Sequence, residues 1–259
     1  MQYLKDSADQ TKSTFLNNTW RALRPAFFCR HRAEMFPRKN LIMHNIHLPL
    51  RHYIEAEILP RYNSFDAAHQ LEHAEEVIRG SLELASHYDV DLNMIYAVAA
   101  YHDTGLCEGR EKHHISSGRI LREDAVLRSF LHPDNKPLFT PEQIETMTQA
   151  VEDHRASSTH EPRSIYGKIV AEADRLIDGP TIVRRTIHYG LTHYPQLNKE
   201  RHYQRFLEHM AEKYAEGGYL RLWIPQSPNA TRLAAFQQLL KDPVATREMF
   251  EREWNKKLQ

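Results

Sequence analysis

The sequence predicts an all-α protein, a helical bundle with additional C-terminal helices, and three observations carry that prediction. Apolar residues return at spacings of three and four through most of the 259 residues, sustained period-two alternation is missing, and helix-ending residues fall where the period breaks. Leu50, Tyr53, Ile54 and Ile58 open the first helical stretch, which is expected to stop at Pro60. Further helices are expected over 67–87, 91–105, 113–123, 141–155, 164–178, 181–192, 199–216, 230–240 and 243–254. Asp91 can cap the residues after it, Thr140 before Pro141 reads as an N-cap followed by the first helical position, and Gly105 reads as a C-terminal stop. The connection 131–140 contains two prolines and the connection 157–162 is polar, so both are expected loops beside whatever the flanking helices present.

Three regions follow. Residues 1–40 carry eight Lys or Arg against three acids and read as a basic, loosely ordered extension. Residues 41–180 hold the helices that bear the ionisable clusters, and residues 181–259 read as a helical extension packed on that core, with breaks at Gly217-Gly218 and 225–229.

Composition removes several function classes. With 34 Lys+Arg against 34 Asp+Glu, the chain has no bulk positive charge with which to hold a nucleic-acid backbone by counterion release. Hydrophobic residues make up 41%, enough at this length to build a substantial core, so disorder as the main state is excluded. The longest apolar run, 94–101, is eight residues, against the roughly 18 to 20 that a membrane helix needs. Cys29 and Cys107 make no disulfide framework and no CxxC pair, which points to a reducing, cytoplasmic setting. No GxGxxG or GxxxxGK[ST] phosphate loop occurs among only nine glycines. Homo-oligomerisation is left open. The outlier is the 17 histidines, side chains that are costly to place unless a metal, proton or phosphate uses them.

Those histidines recur with carboxylates on or beside consecutive predicted helices: His69 and His73, His102 with Asp103, His113 and His114, Asp153 with His154, and then Asp174. Side chains from separate helices can converge inside a bundle, where metal sites are built from inward-facing residues. His102 and Asp103 directly follow the longest apolar run, so both are expected to be drawn into low dielectric, and a buried carboxylate needs a cation. A divalent metal can supply it.

On these residues the chain resembles the HD-domain metal-dependent phosphohydrolases, an all-α family marked by a lone His, a later His-Asp pair and a distant Asp. The matching positions are His73 in HAEEV, His102 and Asp103 in YHDTG, and Asp174 in EADRL, spread over roughly 67–178. The resemblance implies that these four ligate a divalent metal, Mn, Fe, Co, Ni, Zn or Mg; a subset of the family holds a second ion at the places of His113 and His154, which would look the same in sequence if they faced the substrate without metal. It further implies hydrolysis of a small phosphorylated compound, of the nucleotide kind, by metal-activated water. HDTG here lacks the Lys that often follows this motif in the family, a role open to Arg110 or Lys112.

Within that expectation Asp103 is the catalytic carboxylate that orients the attacking water, with Lys112 and Arg155 as catalytic cations. Arg110, Arg155, Lys168 and Arg175 are the candidate substrate-binding cations. Arg155 ranks first, because it follows His154 at the mouth of a loop and its guanidinium fork matches phosphate oxygens. Glu152 and Asp153 read as a solvated pair, His114 as a surface residue, and Tyr166, Tyr219 and Trp223 as core aromatics. Two other readings compete: a regulatory domain that binds metal and nucleotide without catalysis, and an HxxEH zinc peptidase using His69, Glu72 and His73, which leaves HDTG and EADRL unexplained.

Overall fold

The computed structural model describes residues 43–66, 69–158 and 160–257. The described residues from Ile46 onward cluster as one compact unit. The expected basic extension 1–40 lies outside the described residues. Ten α-helices and no named strand occur among the described residues, with one isolated antiparallel bridge between Leu131 and Pro137 in the expected loop. No helix among them is long and apolar enough to cross a membrane.

Helix α1 (Leu48–Tyr53) runs on through a π-turn (Ile54–Ile58) into a 3-10 segment (Leu59–Ser64). The helical path therefore does not stop at Pro60. Proline stands at the start of the 3-10 turn, where its missing N–H is not needed, and the path carries Tyr62 into the core. Helices α2 (Leu71–Ala85) and α3 (Leu92–Tyr101) follow. Asp91 caps α3 as expected, accepting from the Asn93 amide at 2.8 Å, and every residue from Met94 to Tyr101 is buried.

α3 ends four residues before Gly105, which corrects the predicted boundary. His102 and Asp103 form a turn, and a 3-10 segment (Thr104–Glu108) contains the glycine. Gly105 is required by close approach: a Cβ there would stand 2.5 Å from the Ser117 amide nitrogen. Helix α4 (His113–Glu123) matches its predicted range. Helix α5 (Pro141–Glu152) starts on a capping box in which Thr140 and Gln143 exchange side-chain-to-backbone bonds, and it ends before Asp153 and His154.

Helix α6 (Ile165–Asp174) ends on the last predicted ligand, four residues earlier than the periodicity suggests. Helices α7 (Gly179–His193), α8 (Lys199–Lys213), α9 (Asn229–Leu240) and α10 (Pro243–Lys257) form the C-terminal part. Their apolar faces bury Ile182, Val183, Ile187, Phe206, Met210, Phe236 and Phe250 in one cluster, into which Ile177 also packs.

Candidate metal centre

Six side chains from five helices or their ends converge. His73 projects from α2, His102 and Asp103 from the turn after α3, His113 from the start of α4, His154 from just beyond α5, and Asp174 from the end of α6. His102, Asp103 and His154 are at most 3% exposed.

Asp103 divides the six into two groups. Its Oδ2 lies 3.3 Å from His102 Nε2 and 3.7 Å from His73 Nε2. Its Oδ1 lies 3.3 Å from both His113 Nε2 and His154 Nε2. The first group is completed by Asp174, whose Oδ1 is 3.2 Å from His73 Nε2 and 4.0 Å from His102 Nε2. Within each of the trios His73, His102, Asp174 and Asp103, His113, His154, the ligand atoms all lie within 4.8 Å of one another.

The donor chemistry fits a cation in both groups. The Nδ1 atoms of His102, His113 and His154 sit 2.7, 2.8 and 2.6 Å from the carbonyl oxygens of Ala99, Arg110 and Val151, each three residues back. A ring nitrogen facing a carbonyl must donate, so in each neutral ring the Nε2 carries a lone pair aimed at the centre. His113 Nε2 and His154 Nε2 are 3.2 Å apart, and His102 Nε2 and His73 Nε2 are 3.3 Å apart. Across the His113–His154 pair two lone pairs at that distance repel unless a positive charge lies between them, whereas His73, whose Nδ1 has no hydrogen-bond partner among the described residues, can turn either a lone pair or a proton toward His102. Ligands held about 2.1 Å from a common ion stand about 3.0–3.4 Å apart, which is the spacing of both imidazole pairs.

In the metal-free protein a proton must do that work. Burial opposes charge on His102, but the Asp103 and Asp174 carboxylates outweigh it and raise the imidazolium to about 9. Burial works against the Asp103 and Asp174 carboxylates too, yet the surrounding histidines hold both below the usual carboxylate range.

Buried bonds fix the backbone that presents these groups. Tyr62 Oη donates to Ala100 O at 2.9 Å and accepts from the Asp103 amide at 3.2 Å, so it clamps the turn between the two ligands. Thr104 Oγ1 donates to Tyr101 O at 2.8 Å, and the Gly105 amide donates to Ser117 Oγ at 2.7 Å. Asp153, expected to be solvated, is instead buried: Arg163 reaches it through Nε at 3.0 Å and through its amide at 2.7 Å, which anchors the residue next to His154. The guanidinium ten residues ahead is the partner that periodicity could not reveal.

The residues expected around the substrate are placed as follows. Arg110 is exposed and pairs with Asp66 at 3.0 Å. Arg155 is half-buried and donates to Glu111 O, and its charge reaches His114 and Tyr219. Lys112 is exposed immediately before α4. Lys168 pairs with Glu161, and Arg175 is buried with Nη1 donating to Ala171 O. His114 is half-buried rather than a surface residue, and burial with the nearby cationic groups lowers it to about 4.

The HxxEH reading does not survive this geometry. Glu72 is exposed, His69 Nδ1 is bound to Asp66 Oδ1 at 2.8 Å, and His73 belongs to the cluster with His102 and Asp174. Sequence reasoning missed Tyr62, which stands beside the centre hidden behind the supposed stop at Pro60, and Lys213 at the end of α8, whose ammonium feels the charge of Asp174.

Compared with known proteins, residues 71–177 match the family model of the HD domain. No curated protein and no solved structure matches the chain.

Proposed function

Because residues 71–177 form an HD domain, we propose that the protein is a metal-dependent phosphohydrolase that cleaves a small phosphorylated compound, a nucleotide being the substrate class favoured. One observation carries this reading: the buried Asp103 carboxylate offers a different oxygen to each of two histidine pairs. His73, His102, Asp174 and Asp103 Oδ2 would hold one divalent cation, and His113, His154 and Asp103 Oδ1 a second, drawn from Mn, Fe, Co, Ni, Zn or Mg. When bound, such a cation supplies Lewis acidity, which acidifies water and offsets charge building on phosphoryl oxygens.

The chain's own groups do the rest. The carbonyl-bound Nδ1 atoms keep the imidazoles from turning, so the site needs little rearrangement before reaction. Asp103 accepts a hydrogen bond from the attacking water and orients it toward phosphorus. Arg155, which follows His154, and Arg110, three residues before His113, bind phosphoryl oxygens, and Lys112 adds positive charge before α4. The protein acts in the cytoplasm on a soluble small molecule, alone or as a homo-oligomer.

The test is elemental analysis of purified protein followed by hydrolysis of a phosphomonoester, a phosphodiester and a nucleotide panel, with and without added metal. Metal-dependent turnover is expected, and Asp103→Ala should remove bound metal and turnover together while helicity persists. Bound metal without hydrolysis of any compound would leave a regulatory binding domain instead. Full turnover by Asp103→Ala would remove the mechanism.

A further inference from the structure

Lys213 closes α8, and the chain then reverses through Gly217, at φ 83°. In the reversal the Tyr219 amide donates to Glu212 O at 3.0 Å and the Leu220 amide to Lys213 O at 3.2 Å. The returning segment is fastened to α6 two residues ahead of Asp174: the Trp223 amide donates to Glu172 Oε2 at 2.7 Å, and Asn229 Nδ2 donates to Glu172 O at 2.9 Å. The segment that follows α8 is thereby tied to the helix that carries Asp174.

Lys213 is half-buried, its ammonium 5.0 Å from the centre of the Tyr214 ring, and it makes no ion pair among the described residues. Lys213 lies within electrostatic reach of Tyr219, Asp174, Arg175 and Arg110, and Tyr219 in turn within reach of Arg155. Three cationic side chains, from α8, from the segment before α4 and from the loop after α5, thus lie within electrostatic reach of the same few groups. Arg110 is tied to Asp66 and Arg155 to a carbonyl, whereas Lys213 is partly dehydrated with no carboxylate in contact. An unpaired cation in that setting is costly, and an anion bound beside it removes the cost.

We propose that Lys213, from beyond the HD match, is a further cation that binds the substrate's phosphate at this centre, alongside Arg110 and Arg155, with Tyr219 as the adjoining wall. This rests on the phosphohydrolase reading for the identity of the anion. It assigns to the C-terminal part a share in substrate binding.

The test uses the metal-loaded full chain, titrated calorimetrically with inorganic phosphate and with pyrophosphate, for wild type, Lys213→Met and Lys213→Arg. Methionine keeps an apolar stem over Tyr214 while removing the charge. Metal content is measured on the same samples. Affinity for either anion should fall about tenfold or more in Lys213→Met and stay within about threefold of wild type in Lys213→Arg, with metal content equal in all three. Unchanged anion binding by Lys213→Met overturns the proposal, as does a wild type that binds neither anion. Loss of metal in Lys213→Met overturns it too, since the residue would then be part of the metal box. Lys213-dependent anion binding in a protein that hydrolyses no phosphoester would uphold this inference and refute the phosphohydrolase reading.

Discussion

Asp103 and its four histidine neighbours form a charge balance that depends on pH in opposite senses with and without metal. In the metal-free protein His102 is raised from 6.5 to about 9 by the two carboxylates. A folded-state value above the unfolded one contributes stability that is complete below pH 6.5 and disappears as pH rises through about 9. Asp103 and Asp174 are lowered, so their contribution is present above the unfolded carboxylate value and is lost only in acid, below that window. Metal binding runs the other way, because the ligands must first lose their protons. The melting temperature of stripped protein should therefore fall between pH 6.5 and 9 while the gap to metal-loaded protein widens. Thermal melts of both forms across that range check this, and a constant gap would contradict the geometry. At this scale the six side chains that converge could all be read from the sequence, since each stands in a short motif. Asp153 could not, because the ion pair that buries it comes from Arg163 across an irregular loop.

Among the elements, the turn between α3 and α4 does most to shape the centre. It delivers His102 and Asp103 and sets the start of the helix that carries His113. Gly105→Ala should drive a methyl group against the His113 carbonyl and the Ser117 amide, and either the turn or α4 must shift. The expected cost is about 1–3 kcal/mol in urea denaturation, together with weakened retention of any ion at the proposed His113–His154 site, read by elemental analysis. Stability and metal content equal to wild type would show that the close approach is not needed. Helix positions were largely legible from period and caps: α4 agrees end to end, and Thr140 and Asp91 cap as their residue types suggest. The end of α3 was not legible. A glycine that permits contact between segments looks in sequence like one that ends a helix, and only the neighbour shows which it is.

The whole molecule joins the matched segment to a part that the family does not describe. The match ends at residue 177, whereas Ile177 packs into the cluster made by α7 to α10. The sequence showed that more helices follow, but not which surface they cover, because that depends on single polar contacts such as Glu172 with the Trp223 amide. Glu172 is fully buried, and Glu172→Ala would leave that amide without its acceptor. Destabilisation of about 1–3 kcal/mol is expected in urea, with faster proteolytic cutting between residues 217 and 228. Unchanged stability and cutting would show that the tie does not hold the segment. Glu172 and Asp174 share one turn of α6, so the fastening of the C-terminal part and the grip on an ion draw on the same stretch of backbone. Any molecule that steadies this turn by settling on one side must tighten binding on the other by an equal factor, for such linkage is reciprocal.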